Sequence, residues 1–140
     1  MLYLVATPIG NLGDITLRAL ETLKSVDLVV SEDTRKTGSM LKQFEFKKPQ
    51  LSCHEYNDEK VLPKVLALLQ EGQSVALVTN AGSPAVSDPG FLLVRAVIAA
   101  GLAVTAIPGP TAVSTGLSLS GRPVHESNVR AFTPRKPGHR

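Results

Sequence analysis

Apolar residues along this chain fall into short, regularly spaced runs. Five of them read as strands: "LYLVA" (2–6), "DLVVS" (27–31), "PQLSC" (49–53), "SVALVT" (74–79) and "AVTAI" (103–107). Such compact runs, rich in Val, Leu and Ile, suit strands buried on both faces of a parallel sheet. Between them the apolar positions recur at helical spacing. "DITLRALETLKSV" carries Leu17, Leu20 and Leu23 in helical register, with Asp14 placed to cap. "TRKTGSMLKQF" is interrupted by Gly38, and "EKVLPKVLALLQEG" closes at Gly72, where Pro63 is tolerable only in the first turns. "DPGFLLVRAVIAAG" starts with Asp88 as cap and Pro89 at the first helical position, and stops at Gly101. "GPTAVSTGLSLSG" repeats the Pro-start, Gly-stop signature. The alternation predicts an α/β fold, an open five-stranded, mostly parallel sheet with helices on both faces.

The connections are of two kinds. Helix-to-strand links are short: "KSVD", "FKKP", "EGQS" and "AGLA". Strand-to-helix links are longer, and polar or rich in Gly and Pro: "TPIGNLGD", "EDTRK", "HEYNDE", "TNAGSPAVSDPG" and "IPGPTA". Such a link ordinarily needs about two to six residues, so the fourth is oversized for a connector. In an open parallel sheet ligands bind at the carboxyl ends of the strands. All five unusual loops are expected on that edge, which places a binding pocket there before any chemistry is assigned.

Composition narrows the class. The chain has 140 residues, 43% of them hydrophobic and 19% charged, which suits one globular domain and excludes disorder. "MLYLVATPIG" lacks a basic start, so no signal peptide is expected. The most membrane-like segment, residues 91–109, contains Arg95 and is divided by Gly101, and reads as a buried helix–turn–strand unit. The single cysteine, Cys53, precludes an internal disulfide, suits a reducing cytoplasm and is expected to be buried and inert. The net charge of +3 is uneven, because residues 122–140 carry five bases and one acid. That tail, "RPVHESNVRAFTPRKPGHR", is either a solvated linker or a phosphate contact.

Familiar nucleotide signatures are missing. There is no G-x-G-x-x-G after the first strand and no G-x-x-x-x-G-K-[ST], which argues against a dinucleotide fold and excludes a P-loop. No G-x-S-x-G elbow supports a serine hydrolase. His54, Glu55, Asp58 and Glu59 cluster in one loop without a second histidine at ligand spacing, so no metal is expected. Glu32, Asp33, Arg35 and Lys36 leave the second strand together, as a charged turn or a substrate-facing cluster.

The segments "LVATPIGNLGDITLRALETLKSVDLVVSEDTRKT", "HEYN", "VALVTNAGSPAVSDPG", "IPGPTA" and "FTPRK" strongly resemble the ribosomal RNA small subunit methyltransferase I family, within the tetrapyrrole methylase superfamily. The resemblance runs along essentially the whole chain. It implies S-adenosylmethionine-dependent methylation of a cytidine ribose 2′-hydroxyl in small-subunit ribosomal RNA or the 30S subunit. It also implies a homodimer, with no membrane association. The family fold has two α/β domains with the cofactor between them. By resemblance, residues 1–121 form the N-terminal domain and 122–140 a basic linker towards a second domain. Other readings are a superfamily relative acting on a tetrapyrrole or a modified histidine, and an isolated domain that only binds or dimerises.

Carried onto this chain, the resemblance assigns the cofactor to Pro8 and Ile9, to Asn80, Gly82, Ser83, Pro84 and Val86, and to Thr111 and Ala112. Asn80 and Ser83 depart from the usual Asp-Ala-Gly-Thr-Pro. Ser keeps the hydroxyl, whereas Asn removes a charge able to pair with a sulfonium or an amine. Glu32, Asp33 and His54 are the candidate catalytic bases, and Arg135 and Lys136 the candidate RNA contacts.

Overall fold

The structure, a computed structural model, describes residues 1–54, 58–86 and 90–130. Five strands form its sheet: β1 (Leu2–Val5), β2 (Leu28–Ser31), β3 (Gln50–Ser52), β4 (Val75–Val78) and β5 (Val104–Ile107). They lie in the order β3-β2-β4-β1-β5. Every neighbouring pair is parallel, so the expected mostly parallel sheet is wholly parallel among the described residues. The centre falls to β4, whose Val-Ala-Leu-Val sequence is buried throughout, while β3 and β5 are partly exposed edges.

The helices are α1 (Leu17–Ser25), α2 (Thr34–Gln43), α3 (Asp58–Gln70), α4 (Gly90–Ala99) and α5 (Ala112–Leu119). Successive strand residues point to opposite faces, and the core divides accordingly. Val30 and Leu77 pack with Val61, Val65 and Leu69 of α3 and Leu93 and Val97 of α4. Val29, Ala76 and Val78 pack on the other face with Ala19 and Leu23 of α1 and Leu41 of α2. Emptying one such position, Leu23 or Leu93 to Ala, costs about 2–5 kcal/mol. Helix α5 has no buried residue.

Two helix starts differ from the expectation. Thr16, not Asp14, caps α1, its hydroxyl accepting from the Ala19 N–H at 3.0 Å. The reason is local. Asn11 Oδ1 accepts from the Gly13 N–H at 2.9 Å and folds Leu12–Asp14 into a separate 3-10 turn, so the helix begins beyond it. Likewise α5 is capped at Thr111, and Pro110 precedes the cap instead of opening the helix. The starting residues foreseen for α4, Asp88 and Pro89, lie outside the described residues. Pro63 sits exposed in the second turn of α3. Residues 91–109 fold as α4, a turn at Gly101 (φ +72°) and β5. No helix among the described residues is long and apolar enough to cross a membrane.

Candidate functional site

Because all five strands run the same way, all five strand-to-helix loops leave one edge of the sheet. Strand β1 feeds α1 on one face, whereas its neighbour β4 feeds α4 on the other. Their exits diverge and leave the crevice in which open α/β sheets bind ligands. The oversized loop after β4 bridges it. The Thr7 N–H donates to the Gly82 carbonyl at 3.0 Å, and the Gly82 N–H donates back to the Thr7 carbonyl at 2.9 Å. The buried Thr7 hydroxyl donates to the Thr79 carbonyl at 3.2 Å. Main-chain bonds therefore seat the loop, and its side chains are not needed for that task.

Gly82 has φ +85°, a conformation that side chains rarely adopt. A Cβ there would lie 3.4 Å from Ile9 Cγ2 and 3.9 Å from the Pro110 carbonyl oxygen. Three loops, following β1, β4 and β5, thus meet at this glycine. Gly109 holds the third in place: a Cβ on it would come within 2.9 Å of the Ala6 Cβ. Around the junction Pro8 and Pro84 are buried, Ile9 and Ser83 half-buried, and Asn80 and Val86 exposed. Ala85 takes φ +63° without being glycine, a strained conformation of the kind found at ligand clamps. Thr111 caps α5 without a hydroxyl bond to the helix, and Ala112 beside it is exposed.

The acids are placed differently from one another. Exposed Glu32 lines a depression with Cys53, Leu77, Val78, Thr79, Pro84 and Gly90. Asp33 instead caps α2: its Oδ1 accepts from the Arg35 N–H at 2.9 Å and the Lys36 N–H at 3.3 Å. His54 is half-buried just beyond β3. Arg135, Lys136 and Glu55 lie outside the described residues. Among the described residues no three His, Cys, Asp or Glu side chains gather as metal ligands would. Buried Cys53 lines the same depression, as does Thr79. Neither residue, nor Thr7, stood out among the candidates from sequence. The available signal was position, since each closes an apolar strand on the loop-bearing edge.

The chain matches the tetrapyrrole (corrin/porphyrin) methylase family over residues 1–140. Ribosomal RNA small subunit methyltransferase I of Xylella fastidiosa is 46% identical over 136 residues, which is 97% of this chain and 50% of that protein. The protein of the same name from Mesorhizobium japonicum is 50% identical over 139 residues, 99% of this chain and 47% of that protein. The chain therefore spans about half the length of these curated relatives. Among solved structures, uroporphyrin-III-C-methyltransferase from Thermus thermophilus superposes with a TM-score of 0.65 at 26% identity, over 84% of this chain and 52% of that one. A crystal structure of that enzyme complexed with S-adenosylhomocysteine superposes with a TM-score of 0.63 at 20% identity, over 82% of this chain and 51% of that one.

Proposed function

The chain belongs to the tetrapyrrole (corrin/porphyrin) methylase family, and from that premise we propose that it is the cofactor-binding half of an S-adenosylmethionine-dependent RNA methyltransferase. The reaction is transfer of a methyl group to the 2′-hydroxyl of a cytidine ribose in small-subunit ribosomal RNA. What carries the reading is the meeting of Ile9, Gly82 and Pro110 across the crevice, in a chain 46% and 50% identical to two relatives named for that RNA. The tetrapyrrole enzyme of similar fold is more distant, at 26%.

The junction suits the cofactor. The missing Cβ at Gly82 lets the loops after β1, β4 and β5 close on one another, and the Ser83 and Thr111 hydroxyls beside the junction are offered to the methionine part and ribose. Ile9 and Val86 offer apolar surface. S-adenosylmethionine supplies a methyl group on a positively charged sulfur, which an oxygen nucleophile displaces in line. The protein's contribution is mostly alignment, able to supply up to about 7–11 kcal/mol when the reacting pair is well oriented. Glu32 is our choice of base for the 2′-hydroxyl proton. Glu32 lines the depression, whereas the Asp33 carboxylate is engaged by the first turn of α2. Arg135 and Lys136 would neutralise RNA phosphates, consistent with the basic balance of residues 122–140. The reading extends to a homodimer working in the cytoplasm, with a second domain closing the cleft.

Calorimetry with S-adenosylhomocysteine tests the cofactor half. With one wall of the cleft absent, the 140-residue chain should bind at about 10 µM or weaker, because fewer contacts offset the ligand's lost freedom. No heat at millimolar ligand would refute it. Turnover by this chain alone should be negligible. With the second half supplied, labelled methyl should appear on a cytidine 2′-oxygen of small-subunit RNA; label on a base would refute that part.

A further inference from the structure

We propose that the outward face of α2 is a docking track for the phosphate backbone of the RNA substrate; the identity of that substrate rests on the function proposed above. The exposed residues of α2 are Arg35, Lys36, Ser39, Lys42 and Gln43. All five side chains donate hydrogen bonds, three are cationic and none is a carboxylate. Arg35 and Lys42 lie two turns apart on one stripe, about 10 Å along the axis, with Ser39 between them and Lys36 on the flank.

No other described helix presents several bases without an exposed acid. In α1, Glu21 interleaves with Arg18 and Lys24; in α3, Glu59 adjoins Lys60 and Lys64; α4 has only Arg95. The track starts at the candidate site. Asp33 fixes the first turn of α2 to the end of β2, directly after Glu32 of the depression. It then runs back along the sheet and ends at Lys42 and Gln43, since exposed Glu45 separates it from exposed Lys47. Two neighbouring lysines are held elsewhere: Lys48 Nζ donates to the Val26 carbonyl at 2.8 Å, and Lys24 sits over the Phe46 ring.

The chemistry favours nucleic acid over a protein partner. Arg, Lys, Ser and Gln are residues that contact phosphate oxygens, whereas protein interfaces centre on buried aromatic and apolar anchors. None of the exposed large hydrophobic residues lies on α2.

The test measures binding of protein-free small-subunit ribosomal RNA to the full chain at several salt concentrations. The variant Arg35→Gln/Lys36→Gln/Lys42→Gln is compared with Lys60→Gln/Lys64→Gln on the opposite face of the sheet. If each α2 base neutralises one phosphate, the first variant lowers the salt slope by roughly 2.1–2.7, and the second leaves it unchanged. A slope unchanged in the first variant, or lowered equally by both, overturns the proposal, as does a wild-type chain that binds no RNA. Loss of polyglutamate binding with RNA binding intact would assign the face to an acidic protein and overturn it too. Circular dichroism confirms that each variant is folded. S-adenosylhomocysteine binding, expected to be equal in all three proteins, separates the two ideas: if it is absent from wild type the methyltransferase reading fails, whereas intact cofactor binding with an unaltered slope rejects only the track.

Discussion

The two edges of this sheet differ in how far side chains take part in closing them. At the amino edge charged groups add to main-chain bonds such as that from the Asp27 N–H to the Ser74 carbonyl at 2.9 Å. Asp27 Oδ2 accepts from the Ser74 N–H at 2.8 Å and from its hydroxyl at 3.1 Å, tying the β2 entrance to the β4 entrance. Lys48 reaches the Val26 carbonyl, and the N-terminal ammonium donates to the Gln73 carbonyl at 3.4 Å. At the carboxyl edge the corresponding tie is made by main chain, in the reciprocal bonds of Thr7 and Gly82. One edge commits its polar side chains to structure. The other is tied mainly by backbone, helped by the hydroxyls of Thr7 and Ser52, and carries Asn80, Ser83, Thr111 and Glu32, the side chains we propose for a ligand.

Four substitutions test this contrast. The largest effect is expected at Glu32. In the protein with its second half supplied, Glu32→Gln should slow methyl transfer about 10²–10⁴-fold, the usual worth of a general base, while calorimetry finds cofactor binding unchanged. A loss below tenfold would leave Glu32 without that role. Gly82→Val comes next, because a β-branched residue at φ +85° is strained by about 1–3 kcal/mol and its side chain enters the junction with Ile9. S-adenosylhomocysteine affinity should fall about ten- to a hundredfold, while the far-UV spectrum remains that of a folded α/β chain.

Thr7→Val keeps the shape and removes one donor, leaving the Thr79 carbonyl short of a partner. Denaturant titration should record a loss of about 1–3 kcal/mol; an unchanged midpoint would mean that the two backbone bonds suffice. The smallest effect belongs to the amino edge. Hydrogen bonds from the Ser74 backbone, then from its hydroxyl, hold the Asp27 carboxyl below its ordinary value of 3.8. A depressed folded pKa stabilises above the unfolded value, and the benefit disappears as pH falls through the folded one. Asp27→Asn should therefore lower Tm modestly at pH 7, and the two melting curves should converge as pH falls below 3.8. Thermal melts across that range decide it, and cofactor affinity should not change.

Much of this arrangement was legible in the sequence because it depends on local pattern. Runs such as "VALV" specify a strand buried on both faces, and the contrast between "EGQS" and "TNAGSPAVSDPG" marks which edge carries the loops. Helix starts were less legible. Asp14 and Thr16 are both competent caps, and only the Asn11 turn decides between them. The basic face of α2 was hidden for a different reason. Charge summed along the chain assigns the positive excess to residues 122–140, since nearby acids cancel α2 in any running total. On the folded helix the Asp33 carboxylate is taken up by the Arg35 and Lys36 N–H groups as the cap, and the exposed residues of α2 include no acid.

Hydrophobic period and loop length act over a few residues, so they specify the elements, their parallel arrangement and the edge that carries the long loops. Which of those loops meet depends on packing across the whole sheet. Ile9, Gly82 and Pro110 are distant along the chain and adjoin because β1 lies between β4 and β5. That strand order comes from the long crossovers, which α1 and α4 make on opposite faces of the sheet. No local pattern encodes it, since the choice is made by how all four packed helices cover the sheet at once.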